Sequence, residues 1–215
     1  MIRALVFDFD GLILDTETPL IDSYGDVHEA HGVPFDRGLF LRSVGHADYA
    51  FDPWHGFSPH AYRAALEIER RTRKDERIRR QAVLPGVVAL LDAARDHELR
   101  VGLASNSGHT WVEPHLDRLG LLGRFAFIAC RDDVASPKPE PDLYRLVLNQ
   151  LGLRGHEAIA FEDSHTGTLA AKRAGLWTVA APNVSTAHHD FRHADLQVTS
   201  LAQFTLAELT ERFSA

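Results

Sequence analysis

Ile2-Arg3-Ala4-Leu5-Val6-Phe7-Asp8-Phe9-Asp10-Gly11 is a short apolar run that ends in two acids and a glycine. A continuous apolar run of this kind reads as a strand buried on both faces, over Ile2 to Phe7. In extended backbone, alternate side chains share a face, so Asp8 and Asp10 project together from the strand's C-terminal end. Gly11 then lets the chain turn away. Two neighbouring carboxylates repel unless a cation or a shared proton separates them. A polar turn after a strand is the plain alternative. A calcium loop does not fit, because its glycine belongs at the sixth position and a glutamate at the twelfth.

Similar runs recur downstream. Leu99 to Ala104, Phe125 to Ala129, Ala158 to Phe161 and Trp177 to Ala181 read as strands, with a weaker one at Leu196 to Thr199. Helical spacing separates them. Pro85 to His97 carries Val88, Leu90 and Leu91, and Pro141 to Leu151 carries Leu143, Leu146, Val147 and Leu151. Thr166 to Ala174 is Ala-rich and helical. Strands alternating with helices predict an α/β fold, a Rossmann-like doubly wound parallel sheet. One region breaks the rhythm. Between Thr16 and Ala82 helices are expected near Leu20 to His31 and Tyr62 to Arg80, and no buried strand. The expected organisation is a core of residues 1–15 and 83–215 with an α-helical cap inserted at 16–82.

The chain's 215 residues are 45% hydrophobic and 25% charged, an ordinary balance for a soluble globular protein. Lys and Arg total 23 against 30 Asp and Glu, a net charge of −7, which disfavours sequence-independent nucleic-acid binding. Residues 63–80 are the exception, with eight basic side chains against four acidic. That stretch reads as a solvated helix face, with a cationic rim for an anionic substrate as the sharper alternative. No apolar run approaches the ~18 residues of a membrane helix, and the first one meets acid at Asp8, too early for a signal peptide. The one cysteine, Cys130, permits no intrachain disulfide. A cytoplasmic protein with no membrane partner is the expectation; oligomeric state is not legible.

The chemistry-bearing residues fall at strand ends. Ser105-Asn106-Ser107 follows the second strand, Ser136-Pro137-Lys138-Pro139 precedes a helix, and Glu162-Asp163-Ser164 follows the fourth strand. Doubly wound sheets bind ligands along that edge. Acid, hydroxyl, lysine and acid in this order resemble the four motifs of the haloacid dehalogenase-like superfamily. Asp8 to Glu17 is similar to the first, Ser105-Asn106-Ser107 to the second, Lys138-Pro139 to the third and Glu162-Asp163-Ser164 to the fourth. Ala170 to Gly175 resembles the helix after the fourth, so the resemblance runs from about Leu5 to Val179 and is weakest in the cap.

That resemblance implies a Mg²⁺-dependent phosphatase acting on a small phosphate monoester through an aspartyl-phosphate. It implies Asp8 as nucleophile and Asp10 as general acid/base. Mg²⁺ would be held by Asp8, the Asp10 carbonyl and Asp163, with Glu162 a direct or water-mediated ligand. Ser105 and Asn106 would contact the phosphoryl group, and Lys138 would offset its charge, its backbone stiffened by Pro137 and Pro139. In the cap, Gly45, His46 and Lys74, with Trp54 and His55 nearby, are the candidates for reading the substrate. A cap of this type would close over the site and exclude bulk solvent.

Competing readings remain. A dehalogenase has no use for Asp10 and Glu162-Asp163. A β-phosphoglucomutase-like enzyme carries a His where Leu20 stands and an Arg near Ser43-Val44-Gly45-His46, although Lys74 matches a mutase lysine. A non-catalytic binding or scaffold protein on the same fold would have no reason to keep all four motifs. Thr16 and Glu17 have a capping role on the first cap helix as the plain alternative, favoured for Glu17, with Asp15 a hinge anchor. His28, His31, His188, His189 and His193 read as surface residues, and Ser105 has a helix-capping alternative.

Overall fold

Six short strands build the sheet: β1 Ala4–Phe7, β2 Arg100–Ala104, β3 Phe127–Ala129, β4 Ala158–Glu162, β5 Trp177–Ala180 and β6 Leu196–Gln197. The computed structural model describes residues 1–43, 52–57 and 62–213. All strand pairs are parallel, in the order β3-β2-β1-β4-β5-β6. This is the doubly wound arrangement whose order reverses beside β1, and crevices at such switch points bind ligands. The described helices are α1 Glu17–Ala30, α2 Arg37–Ser43, α3 Arg63–Arg79, α4 Val87–Asp96, α5 His109–Arg118, α6 Asp142–Leu151, α7 His165–Arg173 and α8 Leu206–Arg212. None is long and apolar enough to cross a membrane.

Every residue of β1 is buried, as is every residue of β4. One face is fine-grained: Ala4, Val6, Ala104, Ala158 and Ala160 pack with Leu143, Tyr144 and Val147 of α6 and Ala170 and Ala171 of α7. Small strand residues let these helices lie close. At Gly102 a Cβ would stand 2.4 Å from Val147 Cγ1, so a larger residue in β2 would push α6 away. Elsewhere in the sheet the aromatic rings of Phe7 and Phe161 stack at 4.8 Å.

The residues divide into two units, Met1–Leu14 with Ala82–Ala215, and Asp15–Gln81. The second unit is built on α1 against α3, with Val27, Trp54 and Leu66 as its core and Tyr24 and Phe57 packed on it. Trp54 therefore serves packing in this unit, while its neighbour His55 is exposed. The basic helix α3 pairs its charges along itself and with α1: Arg71 with Glu67 at 3.0 Å, Arg73 with Glu69 at 2.6 Å, and Arg77 with Asp26 of α1 at 2.7 Å.

Several expectations need correction. Val88 is 43% exposed, because the buried stripe of α4 is Val87, Leu90, Leu91 and Ala94 and helical periodicity turns position 88 outward. His28 is 2% exposed rather than on the surface, with its ring nitrogens 3.0 Å from the Pro34 carbonyl and 2.7 Å from that of Pro53. Capping of α1 falls to Asp15, whose Oδ1 accepts from the Thr18 N–H at 2.9 Å, while the Thr16 hydroxyl is buried with no partner. β3 starts at Phe127 and β6 stops at Gln197, both shorter than the apolar runs suggested. Gly45 and His46 lie outside the described residues.

Candidate active site

Parallel register fixes the floor of the site. Phe7 is paired with Leu103 on one side and Phe161 on the other, so the next residues, Asp8, Ala104 and Glu162, lie side by side at the sheet's C-terminal edge. The Asp8 N–H continues the ladder to the Phe161 carbonyl at 3.0 Å.

Lys138 fills the space between them. Its Nζ donates to Asp8 Oδ1 at 2.6 Å, to Glu162 Oε1 at 2.5 Å and to the Ala104 carbonyl at 2.7 Å. An ammonium has three hydrogens, and all three are used. The backbone of Lys138 is pinned in turn by Asn106, whose Oδ1 accepts the Lys138 N–H at 2.9 Å and whose Nδ2 donates to the Lys138 carbonyl at 3.1 Å. Both polar atoms of Asn106 thus act on the lysine's main chain. Glu162 Oε1 also accepts from the buried Tyr144 hydroxyl at 2.5 Å, and Ser164 Oγ donates to Oε2 at 3.3 Å. Glu162 has 0% exposure. Gly167 makes room for it: a Cβ there would fall 1.9 Å from Oε2.

Asp163 stands on the far side. Its Oδ2 accepts from Asn183 Nδ2 at 2.6 Å. Among the described residues, the one group of three or more able to hold a metal is Asp8, Glu162 and Asp163, with ligand atoms within 4.8 Å of one another. It contains no histidine. Three buried carboxylates gather here and Lys138 bonds two of them, so the cluster carries excess negative charge. An all-oxygen set of that charge suits a hard divalent cation.

The electrostatics follow from burial. Desolvation pushes the Asp8 carboxyl up to about 8, with Glu162 and Asp10 adding to the rise and Lys138 opposing it. Burial works against the charged Lys138, but Asp8 and Glu162 outweigh it and hold the ammonium above its ordinary value. Tyr144 is raised as well, by burial and then by Glu162, so its hydroxyl stays a donor.

Asp10 has separate partners. Ser107 Oγ donates to its Oδ2 at 2.6 Å and Trp111 Nε1 to its Oδ1 at 2.9 Å. The Asp10 carboxylate is outside the acidic group of three. Ser105 is 1% exposed, and its Oγ accepts the Ser107 N–H at 3.0 Å, a turn contact rather than a cap on α5, whose first turn follows Gly108. Lys74 belongs to the other unit, 3.6 Å from Asp75. Ser107, Trp111, Tyr144 and Asn183 were not among the residues singled out from the sequence. Ser107 was visible as the last residue of its motif; the other three carry no local signal.

Comparison with known proteins gives the family. A family model described as haloacid dehalogenase-like hydrolase matches residues 2–175. YhcW of Bacillus subtilis (strain 168), named provisionally as a phosphatase, is 39% identical over 225 residues, covering 100% of this chain and 99% of its own. Hexitol phosphatase B of Escherichia coli (strain K12) is 30% identical over 224 residues, covering 97% and 96%. A crystal structure from Thermotoga maritima, assigned provisionally as a β-phosphoglucomutase, superposes with a TM-score of 0.81 at 25% identity, covering 98% of this chain and 99% of that one. The sheet order, the strand-end cluster and the match over residues 2–175 together make this chain a member of the haloacid dehalogenase-like hydrolase family.

Proposed function

We propose that this chain is a Mg²⁺-dependent phosphatase that hydrolyses a small phosphate monoester, a phosphorylated sugar or similar metabolite, through an aspartyl-phosphate on Asp8. The observation that carries it is the buried set of Asp8, Glu162 and Asp163, with Lys138 bonded to the first two. A fold needs no such charge imbalance, and it is costly without a reacting anion and a metal to use it. The names of YhcW and hexitol phosphatase B support the reaction class.

Asp8, Asp163 and the Asp10 carbonyl are the proposed holders of the ion, with Glu162 adding charge from behind. Bound there, Mg²⁺ would offset the charge of the phosphoryl group and of the attacking carboxylate. Lys138 anchors Asp8 by Oδ1, which leaves Oδ2 as the oxygen assigned to phosphorus. Asp10 gives its proton to the leaving alcohol oxygen as that bond breaks. It then takes a proton from the water that attacks the phospho-Asp8, releasing inorganic phosphate and restoring the carboxylate. Ser105 is assigned to the phosphoryl oxygens, Lys138 to offsetting the charge on them and on Asp8, Asn106 to holding Lys138 in place, and Gly45, His46 and Lys74 to the rest of the substrate. A cytoplasmic location suits a charged metabolite of this kind.

The Thermotoga maritima likeness favours a second reading, a phosphosugar mutase, in which a sugar hydroxyl replaces water. Leu20 at the position of the mutase histidine weighs toward hydrolysis. A panel of phosphorylated metabolites, assayed with Mg²⁺ and with EDTA, tests both. Expected are phosphate release only with Mg²⁺ and a loss of about 10⁴-fold or more in Asp8→Asn. Strong turnover in EDTA overturns the mechanism. Conversion of β-glucose 1-phosphate to glucose 6-phosphate, faster than phosphate release, overturns the choice of hydrolase.

A further inference from the structure

We infer that Asn183 is a positioning residue for the metal site, a fixed amide that aims the Asp163 carboxylate. This rests on the reading of Asp163 as a Mg²⁺ ligand. Asn183 lies in the loop after β5, in the same unit as the acidic group and 20 residues beyond Asp163.

The amide orientation is set by the loop itself. Asn183 Oδ1 accepts the Ser185 N–H at 2.8 Å, so Nδ2 is the atom turned toward the site. The main chain is held too, because the Asn183 N–H donates to Thr186 Oγ1 at 3.0 Å. Nδ2 then donates to Asp163 Oδ2 at 2.6 Å, with a longer contact of 3.4 Å to the Gly11 carbonyl. One amide thus ties the fourth motif to the turn that follows Asp8 and Asp10. The space it occupies is reserved: at Gly11, where φ is +77°, a Cβ would lie 2.4 Å from both Asn183 Nδ2 and Asp163 Oδ2. The glycine of the first motif therefore does more than permit a turn. It leaves room for the amide to reach the acid.

An amide donor on one carboxylate oxygen fixes the plane of the group and so the direction in which it can meet a cation. It also partners a lone pair that would otherwise be buried beside two further carboxylates. Outer partners of this kind typically change metal affinity by 10–100-fold when removed. Side-chain donors to a ligand act on binding before any chemistry occurs, so the effect is legible without substrate.

The test is calorimetric titration of Mg²⁺ into substrate-free protein, paired with melting curves in EDTA and in Mg²⁺. Asn183→Ala is expected to raise the Mg²⁺ dissociation constant about tenfold and to shrink the rise in Tm that Mg²⁺ produces. Thr186→Val removes a hydroxyl that holds the same loop but leaves the amide, and is expected to keep the dissociation constant within about twofold. Equal Mg²⁺ binding by wild type and Asn183→Ala overturns the inference and leaves the proposed function standing. An equal weakening in Thr186→Val also overturns it, since the loop and not the amide would then be responsible. Wild-type protein that binds no Mg²⁺ overturns the proposed function and this inference with it.

Discussion

Charge is concentrated in two places in this molecule, and the two are built oppositely. On α3 the charged groups are spread along the helix, Arg71 and Arg73 each bonded to an acid one turn away and Arg77 to Asp26 of α1, with Arg71 and Glu67 at 69% and 29% side-chain exposure. At the ends of β1 and β4, Asp8, Glu162 and Lys138 have side-chain exposures of 9%, 0% and 3%. Solvent screens the exposed pairs of the first set, which are worth about 0.2–1 kcal/mol each. The second set has no such relief. Its stability depends on every hydrogen bond being made, and with Asp163 beside it the sum of its charges is left negative even while Asp8 holds a proton. Exposed charge paired in solvent marks a solvated surface, whereas buried charge out of balance marks chemistry.

The largest break in that comparison is Lys138→Met. Three carboxylates would remain buried with no cation, and the lost pair costs about 3–5 kcal/mol. Urea denaturation in EDTA should show a loss of that order, partly restored by Mg²⁺ because the ion supplies positive charge to the same group. A variant as stable as wild type in EDTA would mean that the cluster is solvated after all.

Acidity gives a second, smaller break. Folded Asp8 keeps its proton up to about pH 8, against 3.8 for an ordinary aspartate. Between those values the folded protein binds more protons than the unfolded one, so metal-free stability falls as pH rises. The stabilising share from this group is complete below 3.8 and lost by about 8. Melting in EDTA between pH 5 and pH 8 should show Tm declining in wild type and declining less in Asp8→Asn. Parallel slopes for the two proteins would remove Asp8 from the account. Mg²⁺ should raise Tm more at pH 8 than at pH 5, since at the higher pH it need not displace a proton.

The same contrast explains what could be read from sequence. The strands were legible because burial on both faces leaves a continuous apolar run, as in Ala4 to Phe7 and Ala158 to Phe161. The acids at their ends were legible because a strand's period of two puts them on one edge. Their partners were not. Trp111 reaches Asp10 across 101 residues, and Asn183 reaches Gly11 across 172, by way of loops whose course only the fold determines. His28 was misread for the same reason, since the carbonyls that accept it into the interior belong to Pro34 and Pro53. The helix α8 is a different kind of omission. Thr205 and Glu208 form a reciprocal cap, with Glu208 accepting the Thr205 N–H at 2.8 Å, and that Thr-x-x-Glu spacing stands in the sequence.

The smallest expected effects sharpen the comparison within α3 itself. Arg70 and Arg71 both bond to Glu67, at 2.6 Å and 3.0 Å. They differ in burial, with side-chain exposures of 6% and 69%. Arg70 also lies over the Tyr24 ring, 4.9 Å from its centre, and 3.5 Å from Ser23 Oγ, so it joins α3 to α1. Arg70→Gln should therefore cost about 2 kcal/mol through the lost ring contact and the acid left partly buried. Arg71→Gln should cost no more than about 0.5 kcal/mol, because Glu67 keeps Arg70 and water replaces the rest. High salt should leave the first difference nearly intact and erase the second, since screening reaches only exposed pairs. Equal losses in urea denaturation would show that sequence spacing along the helix, and not burial, sets the worth of these charges, and the contrast drawn between α3 and the strand ends would lose its physical basis.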